Sequence, residues 1–249
     1  MRKFLTIVLG TLLAATATSC SSSPSTPATK ATVGDLNGKT PAQILSAASS
    51  AAKKAGSAHY VLTAVQGKQT QTITGDAAQS QGRQSVVQGS QHIQVVYVGG
   101  VAYVQGDAAG LTSAMGIAAT VAKTYADKWI AVHSSDSLYK SIVSAVTLAG
   151  TLEQLDPSGT LALTGVTTVG GLQAIGVKGG LPGTPQAGVT GTTTLFVATS
   201  KPTVPLKFSG TASQGSQHVQ DTGIFTHWGK ALDLSAPAGA VAFSTLPTK

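Results

Sequence analysis

The stretch TPAQILSAASSAAKKAGSAHYVLTAV, residues 40–65, predicts a helix followed directly by a β-strand. Thr40 is a capping residue, a proline comes next, and Gln43 follows three positions after the cap, which is the pattern of a helix start. Apolar residues then recur at helical spacing until Gly56, which favours a helix end. The β-branched and aromatic residues of 59–65 predict the first strand.

The rest of the chain is mostly strand-like, with two helical interruptions. Val-Gly-Gly-Val at 98–101 predicts a hairpin, because paired glycines tolerate the positive φ angles of a two-residue turn. Apolar spacing within 111–125 and 138–149 predicts two further helices. The other predicted strands are 68–74, 84–88, 91–98, 101–105, 129–132, 160–168, 171–178, 192–199, 204–210, 217–220 and 224–226, with 232–235 as a closing strand.

Several predicted strands are apolar on both faces. In the first strand Tyr60, Leu62 and Ala64 alternate with Val61 and Val65. An antiparallel sheet with one wet face shows cleaner alternation, so we expect parts of the sheet to be covered on both sides. Two explanations stay open: a cavity on the helix side that holds an apolar ligand, and a plain α+β core without a ligand.

The N-terminal 20 residues predict export and lipid attachment. A basic start is followed by an apolar run and small residues, the order of a secretory signal peptide. The run is shorter than the roughly 20 apolar residues that span a bilayer. Cys20, the single cysteine, follows at once and resembles the bacterial lipobox cysteine. The alternative is an ordinary cleaved signal that leaves a free thiol.

We therefore divide the chain into a signal peptide at 1–19, a lipidated Ser/Thr/Pro-rich tether at 20–39, and a single domain at 40–249. The composition of the tether is typical of a flexible linker. The net charge is +7, but the basic residues are scattered and form no dense patch. Together with export, this argues against nucleic acid as a partner.

The order of segments resembles a family. In the order of its segments, the chain resembles the actinobacterial LppX/LprG lipoproteins and their LolA-like relatives. The order is a lipobox, a Ser/Pro tether, an N-terminal helix, strands, Tyr125-x-x-x-Trp129, a helix, more strands and the closing segment 225–237. The resemblance implies an α+β fold: a curved antiparallel β-sheet, or half-barrel, with a few helices packed on its concave face. It also implies that Cys20 carries diacylglycerol and an acyl chain such as palmitate.

The resemblance further implies binding of the acyl chains of a lipid or lipoglycan between sheet and helices. We therefore predict an exported lipoprotein, held by its lipid at the outer face of the cytoplasmic membrane, that binds or carries such a cargo. The alternative is a structural or sensory envelope lipoprotein with a filled core and no ligand. Candidate cavity-lining residues, chosen for apolar type and position, are Leu62, Val96, Met115, Ile142, Val146, Phe196, Leu206 and Phe208.

Motifs for catalysis, metals and cofactors are missing from the sequence. The five histidines lack metal-ligand spacing, and there is no Gly-x-Ser-x-Gly nucleophile motif. Gly38-Lys39-Thr40 lacks the glycine and the strand that precede a phosphate-binding loop. We therefore expect a protein that is not an enzyme and has no cofactor and no bound metal, with a hydrolase as the third-ranked alternative.

One heptapeptide occurs twice. Residues 88–94, QGSQHIQ, recur as QGSQHVQ at 214–220, in each case as a turn that enters a strand. The two copies predict equivalent strands of a pseudo-repeat, although coincidence in a chain rich in Gln, Ser and Gly explains them as well.

Overall fold

The computed structural model describes residues 30–183 and 187–247. The predicted signal peptide and Cys20 lie outside the described residues. The helices in the described part are α1 (Pro41–Ala55), α2 (Ala108–Met115), α3 (Ala119–Thr124), α4 (Tyr139–Val146) and α5 (Leu148–Glu153).

The strands of the described residues form one sheet. They are β1 (Ser57–Gln66), β2 (Gln69–Ala78), β3 (Gly82–Gln88), β4 (Gln91–Val98), β5 (Val101–Gly106), β6 (Ile130–Val132), β7 (Ser158–Val169), β8 (Leu172–Gly180), β9 (Thr190–Ala198), β10 (Pro205–Gln214), β11 (Gln217–Thr226) and β12 (Val241–Ala242).

The sheet is large, open and curved, and its order is β12-β6-β5-β4-β3-β2-β1-β11-β10-β9-β8-β7. Neighbours pair antiparallel, except that β12 runs parallel to β6. The predicted α+β class and curved sheet are therefore confirmed, with the correction that the sheet is mixed. The pairing of β1 with β11 joins the two halves of the chain, since these strands lie far apart in sequence.

Helix α1 forms as its sequence predicts. The Thr40 side chain accepts a hydrogen bond from the Gln43 backbone, the Gln43 side chain caps Thr40 in return, and Gly56 closes the helix with a φ of 85°. The predicted helix at 111–125 is instead two helices, because Gly116 adopts a φ of 67° and ends α2. The predicted helix at 138–149 is likewise interrupted, at the extended residue Thr147.

Two further predictions about segment boundaries need correction. Residues 232–235 form no strand, and the sheet edge is occupied by β12 instead. The packed domain also begins near residue 31 rather than 40. Ala31 and Leu36 are buried, and the Asp35 backbone N–H donates to the Thr199 carbonyl at 2.8 Å. Apolar burial therefore attaches this end of the predicted tether to the sheet.

The helices cover one side of the sheet, which we call the concave face. Side chains alternate along a strand, so Tyr60 and Leu62 lie on this face and are buried. Their neighbours Val61 and Val65 lie on the opposite, convex face and are 38% and 40% exposed. The expected cover on both sides is therefore wrong for β1. It is confirmed for β8 and β9, where Ala174 and Ala198 on one face are as deeply buried as Val177 and Val197 on the other.

Candidate functional site

The concave face carries a continuous apolar row across the middle of the sheet. Strand register places Val177, Leu195, Phe208, Gly223, Leu62, Ile73 and Val86 side by side. Gly223 is required in this row, because a Cβ at its position would overlap the Phe208 ring and the Leu62 side chain. Its missing side chain lets these two large neighbours meet over the strand.

Different helices cover the two ends of this row. Helix α1 packs Ile44, Leu45 and Ala48 against the strands of the second half of the chain. Helices α2 and α4 pack against β4 and β5 and form a second apolar cluster. The concave face thus holds two neighbouring cores under separate helices rather than one core under a single helix.

A buried polar pair lies near the centre of the concave face. The Tyr60 hydroxyl donates to Gln84 Oε1 at 2.9 Å, and both residues are buried. Burial raises the pKa of Tyr60, so the hydroxyl stays protonated and remains a donor. The ring passes over Gly75, where a Cβ would collide with it. This pair fixes the position of a large aromatic side chain between sheet and helices.

The structure buries six of the eight predicted lining residues, five of them between sheet and helices. Phe208 and Leu62 belong to the cluster beneath α1. Leu206 is buried in a smaller cluster that includes Ala174 and Ala198 and packs against Phe196. The three helical residues, Met115, Ile142 and Val146, are all in the second cluster.

The remaining two predicted residues lie on the convex face and do not line the space between sheet and helices. Val96 pairs with Arg83 and Tyr103, on the side opposite buried Val95. Phe196 pairs with Lys207, whose Nζ lies 5.6 Å from the centre of its ring. In both strands the residues are apolar on both faces, so the composition alone could not distinguish the two sides.

One carboxylate on the concave face escaped sequence analysis. Asp221 lies two residues before Gly223, between Ala64 and Gly210 on the neighbouring strands. Its Oδ1 is buried and has no hydrogen-bond partner. Burial raises the pKa of Asp221 to about 6. The sequence signal that could have found it is a lone acidic residue in an otherwise uncharged strand, in phase with buried Val219.

Another polar cluster lies on the convex face and is satisfied internally. Asp76 accepts hydrogen bonds from His59 Nδ1 at 2.8 Å and from Arg83 Nε at 2.7 Å. Burial alone would raise the pKa of Asp76, but these partners outweigh it and hold the pKa below its usual value. This cluster behaves as a structural ion-pair network.

Neither a membrane span nor a metal cluster is found in the described parts of the chain. Within residues 30–183 and 187–247 no helix is both long and apolar enough to cross a bilayer. Over the same ranges no group of three or more His, Cys, Asp or Glu side chains is arranged to hold a metal ion.

Comparison with known proteins identifies the fold. No protein family and no curated sequence matches the chain. Among solved structures, the lipoprotein LppX of Mycobacterium tuberculosis aligns over 78% of this chain and 98% of its own, with 13% identity and a TM-score of 0.50. MucB aligns with 16% identity and a TM-score of 0.38, over 80% of this chain and 63% of its own. A LolA superfamily protein of Nitrosomonas europaea aligns with 10% identity and a TM-score of 0.26, over 76% of this chain and 94% of its own.

The chain is therefore an α+β half-barrel protein with helices on one face of the sheet. Its particular fold is that of LppX, which confirms the resemblance inferred from the order of its segments.

Proposed function

We propose that this protein is an exported, lipid-anchored envelope lipoprotein that holds a lipid or lipoglycan between its sheet and helices. The observation that carries the proposal is the apolar row on the concave face, covered by separate helices in the fold of LppX. Because different helices cover the two ends of the row, one can move from the sheet while the other stays packed, which suits a cavity that opens for a cargo.

The proposed anchor is diacylglycerol on Cys20, with an acyl chain on the new amino group. Stable attachment needs more than one acyl chain, because each buried methylene contributes only about 0.8 kcal/mol. The proposed location is the outer face of the cytoplasmic membrane. The proposal includes no enzymatic step, no cofactor and no nucleic acid.

A second candidate is a structural or sensory lipoprotein with a filled core. The complete burial of Tyr60, Ile44 and Ile142 favours it, since these large side chains already occupy space between sheet and helices. In this reading the concave face stabilises the fold and binds nothing.

Native mass spectrometry of the full chain, released from detergent micelles, separates the two candidates. The proposal expects co-purified lipid in addition to the covalent anchor, identified by its mass after extraction. Phe208→Ala on the concave face should change the amount or type of that lipid. The matched variant Phe196→Ala, on the convex face of the neighbouring strand, should leave it unchanged. A protein that carries only its anchor would favour the filled core.

A further inference from the structure

Three hairpins at one end of the sheet share the sequence Gln-Gly-x-Gln. They join β1 to β2 at 66–69, β3 to β4 at 88–91, and β10 to β11 at 214–217. In each hairpin the two glutamines pair across the strands, and the glycine has a φ of 58° or 59°. The structure thus brings the two copies of the heptapeptide, and a third related turn, to the same end of the sheet.

The strand register points all six of these glutamines to the concave side. Gln66 is in phase with buried Leu62, Gln88 with Gln84, and Gln217 with buried Val219. Their hairpin partners share the same face, because paired residues of an antiparallel ladder lie on one side of the sheet. The six, which we call the amide rim, are Gln66, Gln69, Gln88, Gln91, Gln214 and Gln217.

The amide rim is continuous from one hairpin to the next. Gln66 Nε2 donates to Gln217 Oε1 at 3.3 Å, and Gln88 Nε2 donates to Gln69 Oε1 at 3.5 Å. Each amide can make more hydrogen bonds than these contacts use. Free donors and acceptors therefore line this end of the concave face.

Asp221 lies between the amide rim and the apolar row. Along β11, Gln217, Val219, Asp221 and Gly223 follow one another on the concave face. The side chains beside Asp221 are small, since Ala64 and Gly210 flank it and Thr193 follows Gly210 on the next strand. None of these neighbours can donate to the buried Oδ1, apart from the short Thr193 hydroxyl, which does not reach it. Small neighbours and an unpaired buried acceptor leave a place for a donor from outside the protein.

We propose that the amide rim and Asp221 form a binding site for an uncharged, hydroxyl-bearing head group of the sugar type. A hydroxyl would donate to Asp221 Oδ1, and the amides would exchange hydrogen bonds with further hydroxyls. A phosphate fits poorly, because two anions would meet at Asp221. Among the described residues of the rim hairpins, the only cation is Lys68, which lies in a turn rather than on the concave face. The inference rests on the proposed function insofar as the acyl chains of the same molecule would occupy the adjacent apolar row.

The same hydroxyl chemistry is offered by a glycolipid and by a free glycan, so the test includes both. The probes are hexosyl-dioleoylglycerol, dioleoylglycerol, dioleoylphosphatidylglycerol and the soluble tetrasaccharide maltotetraose. Binding to the full chain is measured by native mass spectrometry and, for the saccharide, by calorimetry. We expect the hexosyl lipid to bind about tenfold or more tightly than dioleoylglycerol, the effect of one hydrogen bond to a charged acceptor.

Two variants and one matched control locate the effect. Asp221→Ala and the double variant Gln66→Ala/Gln217→Ala should each abolish the preference for the hexosyl lipid and leave dioleoylglycerol binding unchanged. Gln220→Ala removes an exposed amide that adjoins Asp221 on the convex face, and it should keep the preference. Thermal unfolding of each variant shows whether it is folded. If one of the two site variants does not fold, the other still tests the site.

The outcomes separate this inference from the proposed function. Equal binding of all three lipids, a preference for the phosphatidylglycerol, or a preference that survives in both site variants would overturn the head-group site and leave the lipid cavity standing. Saccharide binding that depends on Asp221, without any lipid binding, would support the site and contradict the lipid-carrier proposal. Binding of no probe would overturn both.

Discussion

Replacing Asp221 by Asn should stabilise the protein at neutral pH and leave it unchanged at acidic pH. The buried Oδ1 has no partner, and burial raises the pKa of this carboxyl from its usual 3.8 to about 6. The charged form is therefore disfavoured in the folded protein. An amide of the same shape carries no charge and avoids this penalty.

The magnitude follows from the raised pKa. One pKa unit corresponds to about 1.36 kcal/mol, so the free-energy penalty of the charged carboxylate is at most about 3 kcal/mol. Because Asp221 is only partly buried, we expect a gain of about 1–2 kcal/mol for the Asn variant above pH 7. For a domain of this size this corresponds to a rise of roughly 2–8 °C in Tm.

The sign of the pH dependence is specific to a raised pKa. Between about pH 4 and 6 the folded protein binds more protons at Asp221 than the unfolded chain, so its stability falls as the pH rises. Asn does not titrate, so the difference in unfolding free energy between variant and wild type should grow through this window and level off above it. Asp76 and Asp107 have lowered pKa values and act in the opposite direction, but they are common to both proteins and cancel in the difference.

The assay is urea unfolding followed by circular dichroism from pH 4 to pH 8. Asp233→Asn, at an exposed position, is the control and should show no such growth. If the wild type and the Asp221→Asn variant have parallel stability profiles over this range, the carboxyl is not held in a desolvated place and the reasoning is refuted.

Three further predictions test other parts of the molecule. Tyr60→Phe should lower the unfolding free energy by about 1–3 kcal/mol, because Gln84 Oε1 loses its buried donor; an unchanged urea midpoint would contradict this. Gly223→Ala should destabilise by about 1–3 kcal/mol through overlap with the Phe208 ring, and a stability equal to wild type would show that the ring is not fixed there. Cys20→Ser should abolish acylation and move the protein out of the membrane fraction or leave the signal uncleaved, as cell fractionation and intact mass would show; membrane attachment with a cleaved signal would argue against lipidation.

The parts of this protein that were predicted well depend on neighbours in sequence. Helix α1 begins at a reciprocal cap between Thr40 and Gln43, and both partners are visible in the sequence. The hairpin at 98–101 depends on its two glycines in the same way. The failures arose where local propensity was weak. Gly116 divided a predicted helix, and Ala31 and Leu36 were assigned to a tether because their burial depends on distant partners.

The residues of the candidate site were likewise only partly predictable from the sequence. Apolar type and strand position sufficed to select Leu62 and Phe208, but they also selected Val96 and Phe196, which lie on the convex face. The sequence of a strand that is apolar on both sides does not indicate which side the helices will cover. The covered side is decided by the pairing of whole strands and by the packing of the helices on the sheet.

The sequence by itself determined the first helix and the tight glycine turns, because each depends on residues within one short segment. The order of such segments indicated the α+β class, and the lipid anchor at Cys20 stays a prediction. Only the tertiary structure decided that β11 lies beside β1. That long-range pairing places Asp221 among small side chains and unites three separate turns into one amide rim, since hydrogen bonds between strands far apart in sequence leave no local pattern.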